Sequence, residues 1–294
     1  FYPMADFDPF ADPADTAEAE PTAAQTSAGT AGGDGAASAA DAAVGPWGRA
    51  LESEEEVTIG GKIVALHTFP AGEKAKCGVI ICGGGTQKSF GSATMELPLI
   101  KVVAKALSDE GVPRLRFDYI GAGRSAAIAT EEERHAADFG GPGTDTDDVA
   151  TQINSVVSYM LENLCNKLVL VGYSMGAQEG MRAVRRNKKV KYICALNVGF
   201  EVWRRVFIPD ETLREKNRIQ IQRIHKEGEH RTLYVVGGND TMTPEDQLRS
   251  YVACRNDGGS GVAIEVVPDA NHPFEGHEEE AAAKMIAWLR EEMS

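Results

Sequence analysis

Several things are scarce in this 294-residue chain, and each absence narrows the reading. There are five cysteines, Cys77, Cys82, Cys165, Cys194 and Cys254, scattered, odd in number and without Cys-x-x-Cys spacing. That excludes a disulfide framework or a structural zinc site of the usual spacing and fits a reducing, intracellular compartment. No apolar run approaches the ~20 residues of a membrane span. Nothing in the charge pattern supports a nucleic-acid footprint, which needs a clustered basic surface, so nucleic acid is not an expected partner. No internal repeat occurs. The chain opens at Phe1 rather than Met and carries no secretory signal; the expectation is a processed chain or a fragment, with an organelle reached through a removed transit peptide as one candidate compartment.

Positive charge is missing altogether from residues 1–45, which hold eight acids and no Lys or Arg. The whole chain carries −14, so the remainder carries −6. Residues 11–45 are rich in Ala, Gly, Thr, Asp and Glu and hold no aromatic residue. Such a segment cannot bury enough surface to offset its ordering entropy, so an acidic, disordered tail is expected over 1–48. Residues 1–10 differ, because they interleave acids with four aromatics, Phe1, Tyr2, Phe7 and Phe10. They read either as a remnant of processing or as a short peptide that docks on a protein partner.

From residue 49 onward strand and helix patterns alternate. Val57–Ile59 and Lys62–Thr68 read as a hairpin joined at Gly60-Gly61. Short, nearly all-apolar runs at Cys77–Cys82, Pro113–Phe117, Lys167–Val171, Tyr192–Leu196, Thr232–Val236 and Val262–Val267 suit strands buried on both faces. Helical spacing marks Leu97–Ser108, Thr146–Leu164, 177–187 and Glu278–Met293. The alternation predicts an α/β domain over 49–294 with a doubly wound, mostly parallel sheet. Residues 126–143 read as a loop beside the site entrance, and 199–231 as a small cap segment.

The most informative stretch is Gly172-Tyr-Ser-Met-Gly176, set between a strand and a helix. A serine on such a sharp turn is forced into a strained conformation, and small residues two before and two after it relieve clashes. The hydroxyl is then exposed at the top of a sheet, over a helix N-terminus. A serine hydroxyl is a poor nucleophile without a base and a group that orients the base. Side chains able to meet it lie at the C-terminal ends of later strands. Asp240 follows Leu233–Val236 through a Gly-rich turn, although Asp240 or Thr243 could equally cap the helix that begins near Pro244. His272 follows Val262–Val267, and His277 sits closer to the terminal helix as a surface residue. His67, His135, His225 and His230 have no supporting context. The order Ser, Asp, His suits a strand-borne nucleophile of this type.

Three further stretches bear on other functions. Gly121-Ala-Gly123-Arg-Ser-Ala126 fits a dinucleotide fingerprint, but no helix pattern begins at once and no acid-ended strand follows. His272, Glu275 and His277 match no zinc spacing, so no metal and no cofactor are expected. The basic run from Arg185 to Lys191 lies at a helix C-terminus, where cations are favoured.

With these residues in view, the chain resembles an α/β-hydrolase-superfamily serine hydrolase over about residues 50–294, in company with small esterases, thioesterases, dienelactone-hydrolase-like enzymes and serine aminopeptidases. The resemblance rests on the serine elbow, on Asp118-Tyr-Ile-Gly121-Ala-Gly123-Arg-Ser125, on Gly-x-x-Asp at 237–240 and on Ala-Asn-His at 270–272. It implies Ser174 as nucleophile, His272 as general base and acid, and Asp240 as the orienting carboxylate. The oxyanion would be held by the N–H of Met175 and one from the loop Gly83–Gln87, Gly85 first and Gly84 or Thr86 next. Family members usually carry a histidine where this chain has Cys82. Gly84, Phe200 and Trp203 are candidates for the pocket of a small acyl ester or thioester substrate. A peptidase, an acyltransferase, or a non-catalytic subunit docked through its tail are the alternatives.

Overall fold

The computed structural model describes residues 50–51, 53–85, 94–139, 146–198, 230–253 and 261–293. All of them fall in the second of the two units into which the chain divides, Ala39–Ser294. Residues 1–48, with the proposed docking peptide, and nearly all of the 199–231 cap segment lie outside the described residues.

The first two strands, β1 (Glu55–Ile59) and β2 (Ile63–His67), form an antiparallel hairpin. Gly60 and Gly61 both take positive φ at its turn, 57° and 72°, a conformation that strains any side chain with a Cβ. β2 pairs antiparallel with β4 (Arg114–Phe117). The other strands are parallel: β3 (Gly78–Cys82), β5 (Leu168–Tyr173), β6 (Val190–Leu196), β7 (Arg231–Gly237) and β8 (Val262–Val267). Among the described residues the sheet has eight strands in the order β1-β2-β4-β3-β5-β6-β7-β8.

Alternation within each central strand feeds two apolar layers. Leu168 and Leu170 of β5 join Ile80 and Cys82 of β3 on one face, while Val169 and Val171 join Val79 and Ile81 on the other. The first face is covered by α3 (Thr146–Asn163) and α4 (Met175–Val184) and receives Leu248 of α5 (Glu245–Ala253). The second is covered by α1 (Pro98–Asp109) and α6 (Glu278–Met293). Burying each of these branched side chains contributes roughly 1.5–3 kcal/mol. α1 starts with proline in its first turn, where a missing N–H costs nothing, and ends at Gly111 with φ 66°. Among the described residues no helix is long and apolar enough to cross a membrane.

One expectation fails. Residues 126–143 contain a helix, α2 (Glu131–Phe139), preceded by a 3-10 turn over Gly123–Ala127. The helix is started by a capping box: Glu133 N–H donates to Thr130 Oγ1 at 3.2 Å and Thr130 N–H to Glu133 Oε2 at 2.8 Å. Its apolar stripe is thin, so periodicity hides it, but Thr130-Glu-Glu-Glu133 carries its start signal.

The connections from β3 and β5 leave the sheet on opposite faces, to α1 and α4. Their carboxyl ends therefore flank a crevice at the point where the strand order reverses, the place where open α/β sheets bind ligands.

Candidate active site

Ser174 stands at that crevice, between β5 and α4, with φ 51° and ψ −118°. The glycines around it are sterically required. A Cβ on Gly172 would lie 2.4 Å from Ala177 Cα, and one on Gly176 would lie 2.3 Å from the Gly83 carbonyl oxygen. Both contacts are with backbone, which cannot swing aside, so the two glycines let α4 rest directly on β5 and the β3 exit. The Ser174 N–H donates to Leu196 O at 2.9 Å, tying the turn to β6. The Met175 N–H is the first of the helix, one of the four a helix cannot satisfy internally.

Asp240 and His272 come to the same crevice from β7 and β8. The turn after β7 is closed by Asp240 N–H donating to Gly237 O at 3.0 Å. The Asp240 carboxylate is fully buried. Its Oδ1 accepts the Met242 N–H at 2.7 Å, and its Oδ2 faces His272 Nδ1 at 2.8 Å. On the other side of the ring, His272 Nε2 lies 2.9 Å from Ser174 Oγ. An ionised carboxylate only accepts hydrogen bonds, so the proton of a neutral imidazole belongs on Nδ1. Nε2 is then left as an acceptor for the serine O–H. The three side chains, 66 and 32 residues apart along the chain, form one hydrogen-bonded series.

The histidine loop is held from below. Phe274, fully buried, takes φ 57° and donates its N–H to Asn271 O at 3.0 Å. The Asn239 N–H donates to Ala270 O at 2.9 Å, which joins this loop to the aspartate turn. The Tyr173 ring lies 5.6 Å from the His272 ring, centre to centre. Burial first, and the Asp240 charge second, push the Tyr173 phenol up to about 12, so it stays neutral beside the imidazole.

The β3 exit, Gly83–Gly85, borders the serine turn. A Cβ on Gly84 would lie 2.5 Å from Tyr173 Cδ1, so the loop packs flat on that ring. Tyr119 is fully buried and its hydroxyl donates to Gly83 O at 3.2 Å, bracing the same loop from beneath. Gly85 is the last described residue there; Thr86, Phe200 and Trp203 lie outside the described residues.

The Asp118–Ser125 stretch serves as a scaffold beside the site. Asp118, buried, accepts the N–H of Met95 at 2.6 Å and of Arg124 at 2.7 Å. Ser125 Oγ donates to Asp118 O at 2.7 Å and accepts the Val64 N–H at 2.8 Å. A Cβ on Gly123 would lie 2.3 Å from Asp118 Oδ2, so the glycine of the rejected dinucleotide reading makes room for a carboxylate rather than a phosphate. Burial raises the Asp118 carboxyl above its usual range, partly offset by those two N–H donors.

Two other histidines are accounted for by their surroundings. His277 faces Glu280 in the first turn of α6 at 3.8 Å. His230, which carried no signal in the sequence, is buried with Nδ1 2.8 Å from Val190 O and Nε2 3.1 Å from Val184 O. Two contacts that shape the site escaped sequence reading: that of Tyr119, which stands in the Asp118–Ser125 stretch although nothing there marks its partner, and those of Asn197. Asn197 sits just past β6 with φ 42°, and no motif surrounds it.

Comparison with known proteins bears on the fold. No protein-family model matches the chain, and no curated protein does. Solved structures do match. Est1E of Butyrivibrio proteoclasticus, solved with ferulic acid bound, aligns at a TM-score of 0.60 with 18% identity, over 81% of this chain and 98% of its own. An α/β serine hydrolase without lid from Xanthomonas campestris aligns at 0.58 with 15% identity, over 82% and 95%. An esterase of Pyrococcus furiosus aligns at 0.58 with 17% identity, over 82% and 93%. Sheet order, helix layers and these likenesses together establish that the chain has the α/β-hydrolase fold.

Proposed function

We propose that this chain is a serine hydrolase that cleaves a carboxylic ester or thioester through an acyl-serine intermediate. One observation carries the reading: the unbroken series Ser174 Oγ, His272 Nε2, His272 Nδ1 and Asp240 Oδ2, with spacings of 2.9 and 2.8 Å and the carboxylate out of contact with water. Ser174 attacks the acyl carbon as His272 Nε2 takes its proton. Asp240 stabilises the imidazolium that forms and keeps the ring in its tautomer. The Met175 N–H, with that of Gly85, receives the developing negative oxygen, each donor contributing about 3 kcal/mol in the transition state. His272 then protonates the departing alcohol or thiol. In the second half, water attacks the acyl carbon as His272 takes its proton, and His272 returns that proton to the Ser174 oxygen as the acyl–serine bond breaks. Fold alone does not assign chemistry, and the same geometry would serve a peptidase or acyltransferase. Esters and thioesters are preferred because a fold neighbour is an esterase and another was solved with ferulic acid.

The test is covalent labelling with a fluorophosphonate probe on the native chain and on Ser174→Ala, followed by a panel of acyl esters, thioesters and amides. The expected result is labelling that vanishes in the variant, with turnover of esters or thioesters over amides. A folded native chain that takes no label would overturn the reading.

A further inference from the structure

We infer that Asn197 is a positioning residue for this site, a buried amide that locks the histidine loop onto the aspartate turn and so sets the spacing of the serine, imidazole and carboxylate. The inference rests on the serine-hydrolase reading and names a residue which that reading leaves out.

Asn197 is fully buried at the end of β6, the strand between the one that ends at the serine and the one that leads to the aspartate. Its side-chain Nδ2 donates to His272 O at 2.7 Å and to Asn271 O at 3.1 Å. Its Oδ1 accepts the Gly237 N–H at 2.8 Å. Both amide hydrogens and the oxygen are thereby used. The orientation is fixed by the partners, since a flipped amide would set its oxygen against two carbonyls and its NH2 against an N–H. The backbone around it is tied to the same parts. Asn197 N–H donates to Val235 O at 2.9 Å, and the preceding Leu196 O accepts the Ser174 N–H at 2.9 Å.

The geometry makes Asn197 the joint of three chain segments. One hydrogen bond reaches the peptide of the residue that carries the imidazole. Another reaches Gly237, whose own carbonyl receives the Asp240 N–H at 3.0 Å. Without the amide, the β8 loop and the β7 turn keep the Asn239–Ala270 bond, but the His272 peptide loses its direct anchor. A buried, unsatisfied carbonyl would draw in water or shift the loop. Misplacement of a reacting group by about 1 Å lowers rate by about 100-fold.

The backbone conformation supplies a clean test. At φ 42° asparagine and glycine are tolerated and alanine is strained. Asn197→Gly removes the amide while accepting the backbone; Asn197→Asp keeps the acceptor for Gly237 and loses the donor to His272. Asn163→Asp, at an exposed asparagine whose Nδ2 donates to Tyr159 O at 2.9 Å, is the control. Three readouts are taken: the thermal melt, the rate of fluorophosphonate labelling, and the low-field proton resonance of His272 Nδ1, identified by its loss in Asp240→Asn. The expected result is a cooperative melt in both Asn197 variants, labelling slowed about 100-fold and the low-field proton lost or broadened, with the control unchanged. Wild-type labelling rates and an intact low-field proton in Asn197→Asp and Asn197→Gly would overturn the inference. Should one variant fail to fold, the other decides. Should the native chain take no label at all, the hydrolase reading fails separately, and the low-field proton alone decides whether Asn197 positions the ring: its loss supports the inference and its retention sinks it.

Discussion

At Asp240 a single atom faces the imidazole. Its Oδ1 is committed to the Met242 N–H, so only Oδ2 can direct the imidazole. In Asp240→Asn the carbonyl oxygen stays with Met242 and the NH2 turns to His272 Nδ1. The ring must then carry its proton on Nε2, where it no longer accepts from Ser174. We expect ester turnover to fall by about 10⁴-fold with little change in the melting midpoint, read from steady-state kinetics beside a thermal scan. A fall of less than tenfold would remove Asp240 from the role. This residue was legible in advance because it follows a strand through Gly-Gly, in the order the motif requires. The contacts of Tyr119 and Asn197 were not. Tyr119 stands in a motif that does not mark its partner, Asn197 stands in none, and what they touch is 36 and 75 residues away.

At the scale of elements, the serine turn is where three of them meet: β5, α4 and the exit of β3. Gly176 is the contact. An added Cβ would lie 2.3 Å from Gly83 O and 2.5 Å from Cys82 O, and neither carbonyl can move without moving the loop that holds Gly85. Gly176→Ala is therefore expected to destabilise the chain by about 2 kcal/mol, the scale of an overpacked core, and to slow fluorophosphonate labelling. Denaturant unfolding and labelling kinetics check both parts, and a variant of wild-type stability would contradict the packing described here. The helix α4 itself was legible from its period and from the motif at its start. The helix α2 was missed because tertiary contact makes up for its thin stripe: a Cβ on Gly121 would lie 2.5 Å from Glu133 O, so α2 packs directly against that turn.

Over the whole molecule, charge inside the fold follows a different logic from the acidic tail. Glu54, ahead of β1, holds two arginines of β4. Arg116 meets it with Nε at 2.9 Å and Nη2 at 2.7 Å, whereas Arg114 reaches it only at 3.3 Å. Burial works against ionising Glu54, but Arg116, aided by Arg114 and Arg124, lowers its carboxyl below the ordinary value of 4.5. Arg116 is held above its ordinary value by that bond, against the effect of burial, while burial and the neighbouring Arg116 lower Arg114; the carboxylate belongs chiefly to Arg116. A depressed carboxyl stabilises the fold above its unfolded value and loses that contribution as pH falls through the folded value. Glu54→Gln should thus cost about 2 kcal/mol at pH 7, the scale of a hydrogen bond to a charged group, because it leaves two buried guanidinium groups short of a charged partner. The gap between variant and native chain should close as pH drops below 4.5, which urea unfolding from pH 7 to pH 3.5 would measure. A gap that persists unchanged in acid would refute this account.

The alternation of strands and helices, the serine turn, and the order of Ser174, Asp240 and His272 can all be read along the chain. Side-chain period, glycine placement and strand-end position are local properties, written in neighbouring residues. It takes the folded chain to bring Asp240 Oδ2 to His272 Nδ1, the Tyr119 hydroxyl to Gly83 O, and the Asn197 amide to both His272 and Gly237. Those facts depend on which strand ends lie side by side, and adjacency in a doubly wound sheet comes from burying two apolar faces at once, which no short stretch of chain encodes.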